Sequence, residues 1–114
     1  MSPVKSEASI KIPILLEFFD YNTGERNTVL THGSIGGIVG HRLKFDMKDP
    51  RQGIFLIAED GTESRITVVG MNKPSQLMFS LPASLPSGNY ILEVRVLFSN
   101  SIRSGRLAKT LRVV

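Results

Sequence analysis

A chain of 114 residues holds one domain, is too short for two, and buries roughly 65% of its unfolded surface, enough for a core without staples. It has no cysteine, which excludes disulfides and thiolate-held metals and suits a reducing compartment such as the cytoplasm. The formal net charge is +4, and from Arg95 onward five bases (Arg95, Arg103, Arg106, Lys109, Arg112) meet no acid. Such a surplus either attracts nucleic acid or an anionic membrane surface or only keeps a domain soluble.

Residues 1–9 are polar and read as a flexible tail or linker remnant, with the domain starting at residue 10. The apolar stretch from Ile10 to Phe19 is interrupted by Lys11, Pro13 and Glu17 and lacks a small-residue cleavage site, so it is not read as a signal peptide. No run reaches the roughly 20 apolar residues that span a bilayer. After the tail, short apolar runs alternate with turn chemistry every 8 to 12 residues or so, the spacing of a sandwich or barrel.

The first strand is expected over Ile12 to Phe19, at a sheet edge because Pro13 lacks an N–H. Asp20 to Asn27 is turn chemistry, and Val29 to Val39 is broken or bulged by Gly33, Gly36 and Gly37. Arg42 to Met47 alternates with period two, Leu43, Phe45 and Met47 on one face, and predicts a half-buried strand. Ile54 to Ala58 is apolar throughout, as in a central strand. Asp60-Gly61 is a hairpin signal leading to a partner strand over Arg65 to Val69. A turn at residues 72–75 precedes a strand carrying Leu77, Phe79 and Leu81.

Residues 82–89 (PASLPSGN) form a rigid corner, and Tyr90, Leu92, Val94, Val96 and Phe98 then make the longest inward stripe, with Glu93 and Arg95 on the opposite face. Pro86, Gly88 and Tyr90 fit a tyrosine corner, in which the hydroxyl bonds back to the corner's backbone; the plainer alternative is an ordinary core tyrosine. A last strand runs over Leu107 to Val113. No window has a helical period. The expected fold is all-β, an immunoglobulin-like sandwich of about seven strands.

No catalytic set stands out. His32 and His41, nine residues apart and without cysteines, do not match zinc spacing and read as surface or edge histidines. Residues 33–37 (GSIGG) lack the Gly-Lys-Ser/Thr ending of a phosphate loop and any following helix. The sequential acids Asp46 and Asp49, and Glu59 and Asp60, read as solvated turn residues. Without Trp, and with Tyr21 alone of eight aromatics outside a strand pattern, a sugar platform has thin support. No cofactor, metal or small-molecule substrate is expected.

One constellation depends on topology. Alternate loops of a seven-strand sandwich gather at one end, so Lys48, Arg51, Lys73 and Arg103 would share a tip with Asp49 as its acid. That tip is either a binding surface or a solvated loop end.

From Gly37 onward the chain resembles a known bacterial family. The matching pieces are residues 40–45 (GHRLKF), 50–57 (PRQGIFLI), 72–77 (NKPSQL), 81–96 (LPASLPSGNYILEVRV) and 107–113. They are similar to an Ig-like domain of unknown function found C-terminal to an HU-like (IHF-family) DNA-binding domain. The resemblance covers about two-thirds of the chain and implies an Ig-like fold and a nucleoid-associated parent protein. It implies no activity and no binding residues. An HU-like domain would need roughly a hundred residues upstream, so the chain is expected to be an excised C-terminal domain or a free-standing relative. Three functions follow as expectations. The first is a non-enzymatic interaction module binding protein, or itself, through a sheet edge or the loop tip, with Ile91 and Leu97 as outward apolar positions. The second is weak nucleic-acid binding through the basic C-terminal strand and the tip. The third, an enzyme, has no nucleophile–base pair to support it.

Overall fold

The computed structural model describes residues 11–114; the expected tail lies outside them. In chain order the strands are β1 (Ile14–Asp20), β2 (Val29–Leu30), β3 (Ile35–His41), β4 (Gly53–Ala58), β5 (Glu63–Arg65), β6 (Val69–Lys73), β7 (Gln76–Ser80), β8 (Asn89–Phe98), β9 (Ser101–Arg106) and β10 (Leu111–Val113). One sheet has the order β1-β3-β7-β6. The other has the order β2-β10-β8-β4-β5, with β9 beside the second half of β8. Pairing is antiparallel except between β2 and β10. These are the A-B-E-D and A′-G-F-C-C′ sheets of an immunoglobulin sandwich, with strand G broken into β9 and β10. The expected all-β sandwich is correct. The count rises above seven because β2 and β5 are short and G is divided.

Period-two alternation makes the core. Tyr90, Leu92, Val94 and Val96 from β8 are buried with Phe18, Ile38, Leu77 and Phe79 of the other sheet in one cluster. Each such side chain contributes roughly 1.5–3 kcal/mol by leaving water. Gly36 lies opposite Phe79 on the inner face of β3, and a Cβ there would stand 2.7 Å from the Phe18 ring. Gly36 therefore makes room for an aromatic ring, and the expected break falls elsewhere, at residues 31–34, where Gly33 has φ +76°. The corner before β8 is closed by the Tyr90 hydroxyl, which donates to the Pro86 carbonyl at 2.7 Å. Gly88 there has φ +135° and its carbonyl accepts from the Val113 N–H.

Six expectations need correction. The first strand starts at Ile14 and reaches Asp20, with Pro13 just ahead of it. Residues 42–47 keep the expected burial alternation but form no ladder, because side chains take the place of a neighbouring strand. The Phe45 N–H donates to Asn72 Oδ1 and Asn72 Nδ2 donates to the Phe45 carbonyl, while the Leu43 N–H donates to Pro74. The strand expected over Arg65 to Val69 is only β5; beyond Arg65 the chain crosses to the other sheet as β6. The loop expected to carry Arg103 to the tip is a two-residue turn, Ser99-Asn100, with φ of 51° and 65° followed by β9, which holds Arg103. Successive positive φ values suit the twist of a tight hairpin. The final strand is correspondingly short, Leu111–Val113. Finally, Phe98 is 39% exposed at the hairpin tip opposite Ser101, so the inward stripe stops at Val96.

Candidate functional site

Three surfaces are candidates: the loop end and the two outer sheet faces. The loops before β4, between β6 and β7, and between β8 and β9 do meet. The segment from Leu43 to Phe45 bonds to Asn72 and Pro74, and Gln52 Oε1 accepts from both the Asp46 and Leu97 N–H groups. Lys48 and Lys73 are exposed here, as are Arg42 and Lys44. Arg51 is tied to Asp49 by a two-pronged ion pair at 3.0 and 2.8 Å. The Arg51 guanidinium, helped by the Arg51 and Gln52 donors, holds the Asp49 carboxyl well below the usual carboxylate range. Arg103 sits differently. It is half-buried on β9 opposite Val96, so it shares the inward-turned face of the sheet at its margin. In the sequence Arg65 opens an expected strand and carries no sign of a site. Its guanidinium donates to the carbonyls of Gln52, Met47 and Asp49 and fixes the loop from beneath. No local pattern marks a contact made across 13 to 18 residues.

The outer face of the second sheet is an ionic lid. Glu93, expected to be solvent-facing, is buried at 4% exposure because Arg95 and Arg106 close over it, one on each carboxylate oxygen. Arg95 also grips Glu63 through both terminal nitrogens, at 3.1 and 2.8 Å, and lies 3.9 Å above the Phe55 ring. These bonds hold the Glu63 carboxyl low and the Arg95 guanidinium high. Of the two outward apolar positions, Ile91 is half-buried and Leu97 exposed.

Among the described residues, nothing forms such a lid on the outer face of the first sheet. Phe19, Gly37, Met78 and Met71 form one outward row across it, and Glu17, Val39, Gln76 and Lys73 the next. Tyr21 lies over Gly37, where a Cβ would come within 3.1 Å of its ring, and meets Phe19 edge-on at 4.7 Å. Arg26 reaches over Phe19 to an ion pair with Glu17. The result is a shallow hollow of about 360 Å³ bordered by Glu17, Phe19, Tyr21, Arg26, Val39 and Gln76. Tyr21 and Val39 at this hollow are 45% and 42% exposed, and Ile35, farther along the same face of β3, is 40% exposed.

Sheet edges are blunted in ways that oppose strand addition. β1 and β6 carry register shifts, and β2 and β5 have two and three residues. Six-residue β9 is straighter, but Gly105 is pressed against the Pro13 carbonyl. His32 and His41 are exposed, far from any convergent ligand set, and among the described residues no three His, Cys, Asp or Glu groups gather as a metal site. Nor is any described helix long and apolar enough to cross a membrane.

Comparison with known proteins agrees with this architecture. A crystal structure of a "putative bacterial DNA binding protein" from Bacteroides vulgatus is similar at 26% identity and a TM-score of 0.79, over 89% of this chain and 47% of that one. The chain thus spans about half the length of that protein. No curated protein matches it. Residues 14–113 match the family described as a domain of unknown function (DUF4469) with Ig-like fold, so the chain belongs to that family.

Proposed function

We propose that this domain is a non-enzymatic interaction module, an accessory to a DNA-associated protein of HU-like type working in the cytoplasm, and that it binds protein through the outer face of β1-β3-β7-β6. The observation that carries this is the uncovered apolar surface at Tyr21, Ile35 and Val39, rimmed by Glu17, Arg26, Gln76 and Lys73. A contiguous apolar patch with a polar rim marks interaction surfaces. The partner's matching surface would be an apolar ridge of another folded domain. The similarity to a protein described as DNA-binding, of which this chain covers about half, supports the DNA-associated setting.

Photo-crosslinking tests it. A benzophenone side chain at Ile35 is expected to give one defined protein adduct, lost on Val39→Lys, while the same group at Ser104 on the opposite sheet gives none. Failure of position 35 to form an adduct, with a chain that sediments as a monomer, would sink the protein-binding reading. A second reading, weak direct contact with nucleic acid, is favoured by the charge at the loop end.

A further inference from the structure

The loop end carries Arg42, Lys44, Lys48, Arg51, Arg65 and Lys73 against Asp46 and Asp49, four net positive charges. That equals the formal net charge of the whole chain, so the remaining bases and acids cancel. We propose that this end is a contact surface for the phosphodiester backbone of duplex DNA, recognised by charge and not by base sequence. The proposal rests on the second reading and gives it a location and a ligand.

Geometry makes the charge usable. Leu43 and Phe45 are buried while Arg42, Lys44 and Asp46 are exposed on the other side, and Lys48 follows in the turn at residues 47–48. Arg42 and Lys44 thus leave one side of an extended segment, with Lys48 beyond its end. Alternate residues of extended chain stand roughly 7 Å apart, close to the separation of neighbouring phosphates on a strand. Asn72 and Pro74 hold this segment by its backbone, and Lys73 lies between them. Among the described residues Arg42, Lys44, Lys48 and Lys73 have no acidic partner, whereas Arg26, Arg51, Arg95 and Arg106 each have one. Glu59 and Asp60 follow the far end of β4, where Lys109, just before β10, and Arg112 on it offset them, so the net positive charge stands at the loop end and a polyanion would meet that end first. β1 also starts here, Ile14 pairing with His41. A single-strand track needs successive exposed rings, and Phe98 is the one exposed aromatic of these loops.

The test is a polarisation titration of the full chain with a labelled mixed-sequence duplex. Three or four phosphate contacts predict a slope of log affinity against log salt near −3, a loss of about 40- to 150-fold between 50 and 200 mM salt. Lys44→Gln with Lys48→Gln should flatten the slope by about 2 units and weaken low-salt binding roughly tenfold or more, with an unchanged melting temperature. Lys109→Gln with Arg112→Gln removes the same charge elsewhere and should change affinity less than twofold. Equal weakening by both pairs, or tighter binding of single-stranded DNA, overturns the proposed surface while leaving nucleic-acid binding in place. No binding at 20 mM salt removes both.

Discussion

The outer faces of the two sheets share one pleat and treat their apolar residues in opposite ways. On the second sheet Phe55 and Ile57 point away from the core, yet they are 6% and 8% exposed. Arg95 covers Phe55, and its charge is answered by Glu63 and Glu93. Around Phe55 and Ile57 that face has little left to offer, since both side chains are covered and the charges of Glu63, Glu93, Arg95 and Arg106 cancel; Leu97, toward the loop end, stays 41% exposed. On the first sheet one ion pair among the described residues, Glu17–Arg26, stands at the rim, and Tyr21, Ile35 and Val39 are 40–45% exposed. A protein's own charged side chains can close a surface, and the face without them stays open to a partner.

The largest effect should come from opening the closed face. Glu93→Ala leaves Arg95 and Arg106 without their shared carboxylate. Removing one partner of a buried ion pair costs about 3–5 kcal/mol. Arg106 is more than half exposed, so solvent screening brings the expected loss to about 2–3 kcal/mol, read from urea unfolding. Arg95→Met should cost less, since its thioether still covers Phe55. A Glu93→Ala variant as stable as the parent would make the lid a surface ornament and erase the contrast between the faces.

That contrast was only half legible in the sequence. Alternation from Tyr90 to Val96 fixes the core face of β8, and the unbroken run Ile54 to Ala58 requires cover on both sides. Glu93 and Arg95, two apart on a strand, share a face, but nothing local says that Arg106 on a later strand will complete the pair. Asn72 replaces a strand neighbour for Phe45 across 27 residues, so residues 42–47 have a strand's pattern without its ladder. The loop end was foreseen through Lys48, Arg51 and Lys73 because alternate loops of this topology meet. Arg103 was placed there because Ser99-Asn100 is a turn of positive φ that Ser and Asn do not announce as glycine would. The open hollow has no such signal: Phe19 falls in a strand pattern that does not say which face it takes, and the bulge between Leu15 and Glu17 is what changes the facing along β1.

Acid should act on the closed face. Arg95 holds the Glu63 carboxyl below its ordinary value, so the unfolded chain takes up that proton first as pH falls. The stabilisation is complete above the unfolded value of 4.5 and is lost as pH drops below it toward the folded value. Asp49 and Asp60, also held low, add to the decline in any variant that retains them. Melting temperatures of the parent and Arg95→Met, measured from pH 6 to pH 2.5, should therefore converge below about pH 4. A constant gap over that range would remove Glu63 from the lid's energetics.

The smallest effect on stability should come from the open face. Val39 is 42% exposed and lies opposite Glu17 on one side and Gln76 on the other. In Val39→Lys the long stem still lies along the sheet while the ammonium turns to Glu17. Unfolding free energy should move by no more than about 0.5 kcal/mol, as for surface positions generally. The same variant should abolish the Ile35 crosslink, because a charge then stands where an apolar ridge must seat. Loss of the adduct with full stability separates a binding surface from a packing surface. Loss of both together would mean that the first face, like the second, serves the fold.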